Sequence, residues 1–168
     1  SQALGRPIHC VNIDPHADFR AAEGRHSGNG FRYAREEGYL KQYAVFGLHE
    51  GYNSMEMLSL MKRPGDAWYL SFENISFGRL PMIDHWDELW SRFRSEKVGL
   101  EIDVDGITDF PSSAETPSGF TLNEVRQMLL ALKHKKAQVA YLHIAEAAPP
   151  LVEGSDRKVG RSLAFLLC

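Results

Sequence analysis

The segment Asp14-Pro-His-Ala-Asp-Phe-Arg20 sets two carboxylates and an imidazole at alternate positions, Asp14, His16 and Asp18. In an extended segment alternate side chains share a face, so this spacing predicts that all three point the same way. Converging oxygen and nitrogen donors suit a borderline divalent cation such as Mn²⁺ or Zn²⁺. The same residues would also serve a solvated acidic loop in which His16 only caps a turn. A second acidic pair follows an apolar run: Asp103 and Asp105 in GLEIDVDG. Carboxylates rising from an apolar strand repel each other and lose hydration unless a cation lies between them. If only Asp103 or only Asp105 were buried, no cation would be needed. Four aspartates and one histidine are enough to bridge two metal ions.

These groups need a rigid frame. Apolar runs rich in β-branched and aromatic residues recur at Ile8 to Ile13, Tyr43 to Gly47, Ala67 to Phe72, Val98 to Val104 and Gln138 to Ile144. Continuous runs of this kind predict strands buried on both faces, as in a parallel sheet. Helical patterns alternate with them. Thr121 and Glu124 have capping-box spacing ahead of Leu122, Val125, Leu129 and Leu132 on one face. Asp84 is placed to cap a helix carrying Trp86, Leu89, Trp90 and Phe93. Asn53 and Glu56 have capping-box spacing for a helix with Met55, Leu58 and Met61, and residues from Asp156 to Cys168 predict a closing helix. The Trp and Met stripes are expected to meet the sheet. The pattern is α/β with a mostly parallel sheet, in which ligands bind beyond the carboxyl ends of the strands.

Composition narrows the functional classes. The chain has 168 residues, which fits one domain, with 19 basic and 22 acidic residues and a formal net charge of -3. That charge is no footprint for nucleic acid or an anionic membrane. No apolar run is long enough to span a bilayer, residues 1–10 lack the apolar core of a secretory signal, and Cys10 and Cys168 make no disulfide framework. A cytoplasmic location is therefore expected, with neither nucleic-acid nor membrane partners.

DPHADFR, then GRHSGNGF, then LEIDVDGITDFP with ETPSGF, then HIAEAAP resemble, in order and across nearly the whole chain, the arginase, agmatinase and formiminoglutamase family of ureohydrolases. The resemblance implies a three-layer α/β/α fold, a binuclear Mn²⁺ site and hydrolysis of amidino or guanidino C–N bonds in small molecules, by a homo-oligomer. Asp14, His16, Asp18, Asp103 and Asp105 match five metal ligands of the family, Asp14 and Asp103 its bridging carboxylates. His26 matches most nearly the loop histidine that serves agmatinase-like members as proton donor, although this loop is shorter than theirs. Arginases instead place a histidine just after SGN, where this chain has Gly30 and Phe31. Glu146 matches the glutamate that pairs with the cationic end of the substrate. Ser27 and Asn29 match a loop that binds a substrate carboxylate in arginases, and Thr116 matches a residue of the TP dipeptide that shapes the pocket. His9, His49, His85, His134 and His143 are expected to be structural.

The family's GG-x-H-type motif, whose histidine is the sixth metal ligand, does not occur in this chain. One metal would keep Asp14, His16, Asp103 and Asp105. The other would have Asp14, Asp18 and Asp103 without its histidine. The expectation is a C-terminal part of a longer amidinohydrolase, formiminoglutamase-like by its HSG and G-F residues, with agmatine or arginine as alternative substrates. The competing expectation is a non-catalytic or truncated metal-binding or assembly module of the same fold.

Overall fold

Ile8–Ile13 (IHCVNI) forms β1, buried at every position, because its alternate side chains enter two different cores. A computed structural model describes residues 5–61, 65, 67–148 and 156–168. β1 pairs in parallel with β2 (Leu40–Leu48) on one side and with β4 (Val98–Asp103) on the other. β3 (Ala67–Ser71) pairs beyond β2, and β5 (Val139–Ala145) beyond β4, which gives the order β3-β2-β1-β4-β5. The chain thus builds outward from β1 to β3, then returns to the opposite side of β1 to lay down β4. That reversal makes the carboxyl ends of β1 and β4 the topological switch point, where a parallel sheet opens a crevice.

Period-2 alternation divides the side chains between the two faces. On one face Val11, Ile13, Ala44, Phe46, Leu100 and Ile102 pack with residues of α3 (Phe72–Ser76), α4 (Met82–Ser91), α5 (Leu122–His134) and α6 (Asp156–Leu167). On the other, Cys10, Tyr43 and Val45 pack with Met57, Leu58 and Met61 of α2 (Met55–Met61) and Phe31 of α1 (Gly30–Glu36). The architecture is therefore α/β/α, as expected. Trp86 and Trp90 of α4 are buried against the sheet, and Trp86 Nε1 donates to the Met128 carbonyl at 3.1 Å, which ties α4 to α5.

Local chemistry moves several expected boundaries. Thr121 and Glu124 do close a capping box on α5. Asp84 instead lies inside the first turn of α4, because Pro81 occupies the N-cap. Ser54, not Asn53, caps α2, its Oγ accepting from Met57 N–H at 3.2 Å, and Met55 at the helix start is 77% exposed rather than turned to the sheet. Ser71 Oγ accepts from Asn74 N–H, so β3 gives way to α3 before Phe72. The run leading to residue 144 is not buried on both faces: among the described residues β5 is the last strand of the sheet, with Val139, Tyr141 and Leu142 each 38% exposed.

Gly47 bulges β2 at φ +89, and a Cβ there would meet the Phe120 ring at 2.3 Å. Only glycine permits both the left-handed backbone and that approach. Phe120 seats the return of the loop that follows β4, through Phe120 N–H to Gly106 O at 2.9 Å and Thr108 N–H to Phe120 O at 2.9 Å. Among the described residues no helix is long and apolar enough to cross a membrane.

Candidate metal centre and substrate pocket

β1 ends at Ile13 and delivers Asp14, 1% exposed, to the switch point. Asp14 Oδ1 accepts from His16 N–H at 2.7 Å and Oδ2 from Asn12 Nδ2 at 2.8 Å, which fixes the carboxylate plane. The segment is not extended as expected. The Asp14 carboxylate bends the chain into a turn, and Asp18 lies at φ +48. The convergence of Asp14, His16 and Asp18 therefore comes from the turn rather than from strand alternation.

Asn53 holds that turn from below. Its Nδ2 donates to Pro15 O at 2.9 Å and His49 O at 2.7 Å, and its Oδ1 accepts from Ala17 N–H at 2.9 Å. Tyr43 Oη donates to Ala17 O at 3.0 Å and accepts from Asn12 Nδ2 at 3.2 Å. Rings stack from His16 onto Tyr52 (centroids 5.9 Å), Tyr52 onto His49 (5.0 Å) and His49 onto Phe72 (4.6 Å). His49 is thus a buried spacer, with Nδ1 3.1 Å from Gly47 O and Nε2 3.2 Å from Ser118 Oγ.

β4 repeats the device. Asp103 Oδ1 accepts from Asp105 N–H at 2.8 Å and caps a short 3₁₀ turn over Val104–Gly106. Asp105 consequently leaves from the turn, not from the strand. Its Oδ1 accepts from Ala114 N–H at 3.2 Å. Asp103 and Asp105 are both buried, at 8% and 4% exposure.

These two turns bring the aspartates together. One carboxylate oxygen from each of Asp14, Asp18 and Asp103 lies within 4.8 Å of the others. His16 Nδ1 stands 3.5 Å from Asp14 Oδ1 and 4.0 Å from Asp105 Oδ2. Burial first, and mutual repulsion second, push the Asp103 carboxyl up to about 9 and the Asp18 carboxyl up to about 7. Asp14 is also raised by burial, against the bonds from His16 and Asn12. His16 is raised by its hydrogen bond to Asp14. Negative charge is concentrated here beyond what the protein's own groups neutralise. A dry cluster of carboxylates with one imidazole fits a hard or borderline divalent cation, and Mn²⁺ belongs to that class.

The cluster opens into a pocket of about 270 Å³, lined by His16, Asp18, Asp103 and Asp105 and also by His26, Ser27 and Glu146. Glu146 follows β5 at φ +65, and its Oε2 accepts from Ser113 Oγ at 2.7 Å. Backbone bonds from Ser113 N–H to Glu146 O (3.3 Å) and from Ala148 N–H to Pro111 O (3.0 Å) stitch the loop after β4 to the segment after β5. His26 and Ser27 are exposed on the rim.

Two residues expected at the substrate do not line this pocket. Asn29 is fully buried beneath the rim, its Oδ1 accepting from His26 N–H at 3.1 Å and its Nδ2 donating to Ala21 O at 3.1 Å and Gly24 O at 2.6 Å. Every polar atom of Asn29 is used to shape the loop. Thr116 is 4% exposed and does not line the pocket. The pocket adds Arg20, Tyr52, Asn53, Met57, Ser113 and Ala114. Arg20 ends the DPHADFR motif and could have been found there. Ser113 and Ala114 belong to an irregular loop with no periodicity to mark them.

The chain is 28% identical over 165 residues to a formimidoylglutamase from Macrococcus caseolyticus, covering 94% of this chain and 50% of that protein. Among solved structures, it is similar to formimidoylglutamase from Bacillus subtilis (TM-score 0.82, 19% identity, 96% of this chain and 51% of that one). It is also similar to a formiminoglutamase variant with Mn²⁺ from Trypanosoma cruzi (TM-score 0.81, 18% identity, 98% and 56%) and to arginase from Bacillus subtilis (TM-score 0.76, 16% identity, 96% and 60%). At such identities the structural likeness shows the fold. The chain spans about half the length of the curated relative it matches. Residues 1–167 match the model of the Arginase family, and the chain belongs to that family.

Proposed function

We propose that this chain carries the metal cluster and substrate pocket of an amidinohydrolase that cleaves the C–N bond of a small linear amidine, of the formiminoglutamate type. The observation that carries this reading is the meeting of Asp14, Asp18 and Asp103 oxygens within 4.8 Å, in a pocket that also presents Glu146 and His26. Asp14, His16, Asp18, Asp103 and Asp105 would hold divalent cations, Mn²⁺ in the first instance. Cations so held supply Lewis acidity, which lowers the pKa of water and offsets negative charge developing on the substrate.

The protein's own groups do the rest. Glu146 offers the amidinium a planar carboxylate, and two parallel N–H···O bonds orient the amidine carbon toward the cluster. Ser113, donating to one Glu146 oxygen, keeps that carboxylate facing the pocket. Water's oxygen bonds to the amidine carbon, and His26, on the rim, hands a proton to the leaving nitrogen as the C–N bond breaks, so that an amine departs and formamide or urea remains. The pocket volume of about 270 Å³ suits a small molecule.

The test is Mn²⁺ loading of the chain, elemental analysis of bound metal, and an assay for formamide release from N-formimino-L-glutamate beside urea release from agmatine and arginine. Bound Mn²⁺ with formamide release is expected. Bound Mn²⁺ with no turnover on any of the three would instead support a non-catalytic metal-binding module.

A further inference from the structure

A second cavity, larger than the first at about 430 Å³, lies between the carboxyl ends of α4 and α5. It is at the far end of the strands from the aspartates, because Val98 opens β4 beside Val139 of β5 and Asp103 closes it. The chemistry proposed above makes no use of it. Part of its lining is apolar: Trp90, Phe93 and Leu132, 7%, 3% and 5% exposed. Trp90 also keeps a buried Nε1–H with no acceptor among the described residues, so this wall holds an unmet donor. The rest of the lining is basic. Lys135 forms an ion pair with Asp87. Arg94 and Lys136 line the cavity too, and among the described residues neither side chain has an ion-pair or hydrogen-bond partner.

The backbone at Lys136 is an independent sign. α5 stops in a Schellman turn, with Lys136 N–H donating to Lys133 O at 3.2 Å and Ala137 N–H to Leu132 O at 3.0 Å. Lys136 stands at the left-handed position of that turn, φ +52, which glycine adopts freely and which strains other side chains. Lys133 and His134 already set positive charge against the carboxyl end of the helix dipole. A strained third cation is therefore not needed for the helix, and such strain is a mark of functional places.

We propose that this cavity is a binding site for a small organic anion, a carboxylate on an aromatic body. The body lies against Trp90, Phe93 and Leu132, and the carboxylate meets Arg94 and Lys136. Stacked or edge-on ring contact favours an aromatic body, and the forked donors of a guanidinium match a carboxylate. An inorganic anion would leave the apolar wall unused.

The probe is 3-phenylpropionate, set beside its amide and 3-phenylpropylamine, which keep the ring and change the charge to zero and to positive. Each is titrated into the metal-free, ¹⁵N-labelled chain and read from the indole N–H signals of the three tryptophans. The Trp90 signal is the one missing from Trp90→Phe. The acid is expected to shift the Trp90 signal, to leave that of Trp68 in place, and to bind at least about tenfold more tightly than the amide or the amine. Arg94→Ala and Lys136→Gly should each weaken the acid about tenfold. Lys136→Gly also relieves the left-handed backbone, so it should melt no lower than wild type. Lost affinity in a fully stable variant is a result that a merely structural lysine would not give. Equal binding of acid, amide and amine overturns the proposal, as does a Trp90 signal unmoved by the acid at millimolar concentration. Undiminished binding in both variants overturns it as well, and so does inorganic phosphate that shifts the Trp90 signal as strongly as the acid. None of these outcomes depends on Mn²⁺, so the proposed function stands or falls separately.

Discussion

Asp14 and Asp103 terminate adjacent parallel strands one step beyond the Ile13–Ile102 register pair, and each gives its Oδ1 to the backbone N–H two residues on, His16 at 2.7 Å and Asp105 at 2.8 Å. One lone-pair direction of each carboxylate is thereby committed to its own turn, and an oxygen of each remains close to the other and to Asp18. The two turns orient the carboxylates before any ligand arrives. They also force like charges together in a buried place, so metal affinity in the proposed site would come at the expense of stability in the metal-free protein.

Asp103→Asn tests that trade-off. The amide Oδ1 can still accept from Asp105 N–H, so the turn should survive, but a carboxyl that burial and its neighbours raise to about 9 gives way to a group that needs no proton to stay neutral. The metal-free variant is expected to be more stable than wild type by on the order of 1 kcal/mol, a few degrees in melting temperature for a chain of this size. Wild type should gain about 2.7 kcal/mol at Mn²⁺ a hundredfold above its Kd, and the variant should gain almost nothing. Calorimetric melting with and without MnCl₂ reads both. Equal Mn²⁺ stabilisation of the two proteins would exclude Asp103 as a ligand.

The same crowding sets a pH dependence. Asp18 at about 7 and Asp103 at about 9 lie above the ordinary carboxylate value of 3.8, so the folded metal-free chain holds protons that the unfolded chain has released. Stability falls as pH rises wherever the folded state binds more protons. This contribution is therefore complete below pH 3.8 and is lost as pH rises through 7 and 9. His16, also raised, acts in the same direction. The metal-free protein should melt at a higher temperature at pH 6 than at pH 8.5. Saturating Mn²⁺ should flatten or reverse that slope, because the cation displaces the protons. A metal-free melting temperature that rises from pH 6 to 8.5 would contradict the buried cluster.

Glu146→Gln separates substrate orientation from metal binding. The amide keeps the shape and can still accept from Ser113 Oγ, but the charge that pairs with an amidinium is gone. Mn²⁺ content should stay at the wild-type value while turnover falls on the order of a hundredfold. Ser113→Ala, which frees the carboxylate without neutralising it, should cost less, about two- to tenfold in kcat/KM. Full activity in Glu146→Gln would remove the residue from the substrate's cationic end.

The candidate ligands were legible in the sequence because side-chain chemistry at short spacing survives any change in backbone path. Asp14, His16, Asp18, Asp103 and Asp105 meet even though Asp18 takes a left-handed backbone and Asp105 leaves a 3₁₀ turn, neither of which a strand pattern announces. Strand bounds were clearest for β1, where apolar burial is continuous, and poorest for β2, which begins at Leu40 rather than Tyr43. The β5 run reads like a buried strand, but its position as the last described strand of the sheet is a property of topology that no local pattern records. Caps failed where two residues competed. Asn53 and Ser54 can each cap α2, and the structure uses serine for the helix and asparagine for the turn after β1. Asn29 failed for a related reason, since a polar residue in a loop can bind either a ligand or its own backbone.

Asn53 supplies the last prediction, since its side-chain amide is spent on the backbone around the cluster. Its amide bonds the backbone at Pro15, Ala17 and His49, so one side chain makes three of the bonds that hold the turn carrying Asp14, His16 and Asp18. Replacing it with alanine leaves a buried N–H and two carbonyls without those partners. A buried group left unpaired costs about 1–3 kcal/mol, and water entering from the pocket would partly replace the lost bonds. Asn53→Ala should therefore lose about 2–4 kcal/mol of stability, readable in urea. Because ligand orientation depends on such supports, Mn²⁺ affinity should fall about ten- to a hundredfold with all five ligands in place. Asn53→Asp keeps one acceptor for Ala17 N–H but turns the donor into a second oxygen facing two carbonyls. It should do no better than alanine, and it adds negative charge beside an acidic cluster. Asn53→Gln keeps the chemistry and misplaces it by one methylene, so it should recover only part of the affinity. Wild-type Mn²⁺ binding in Asn53→Ala would mean that Tyr43, through Ala17 O, and the Asp14 turn itself are sufficient to hold the ligands.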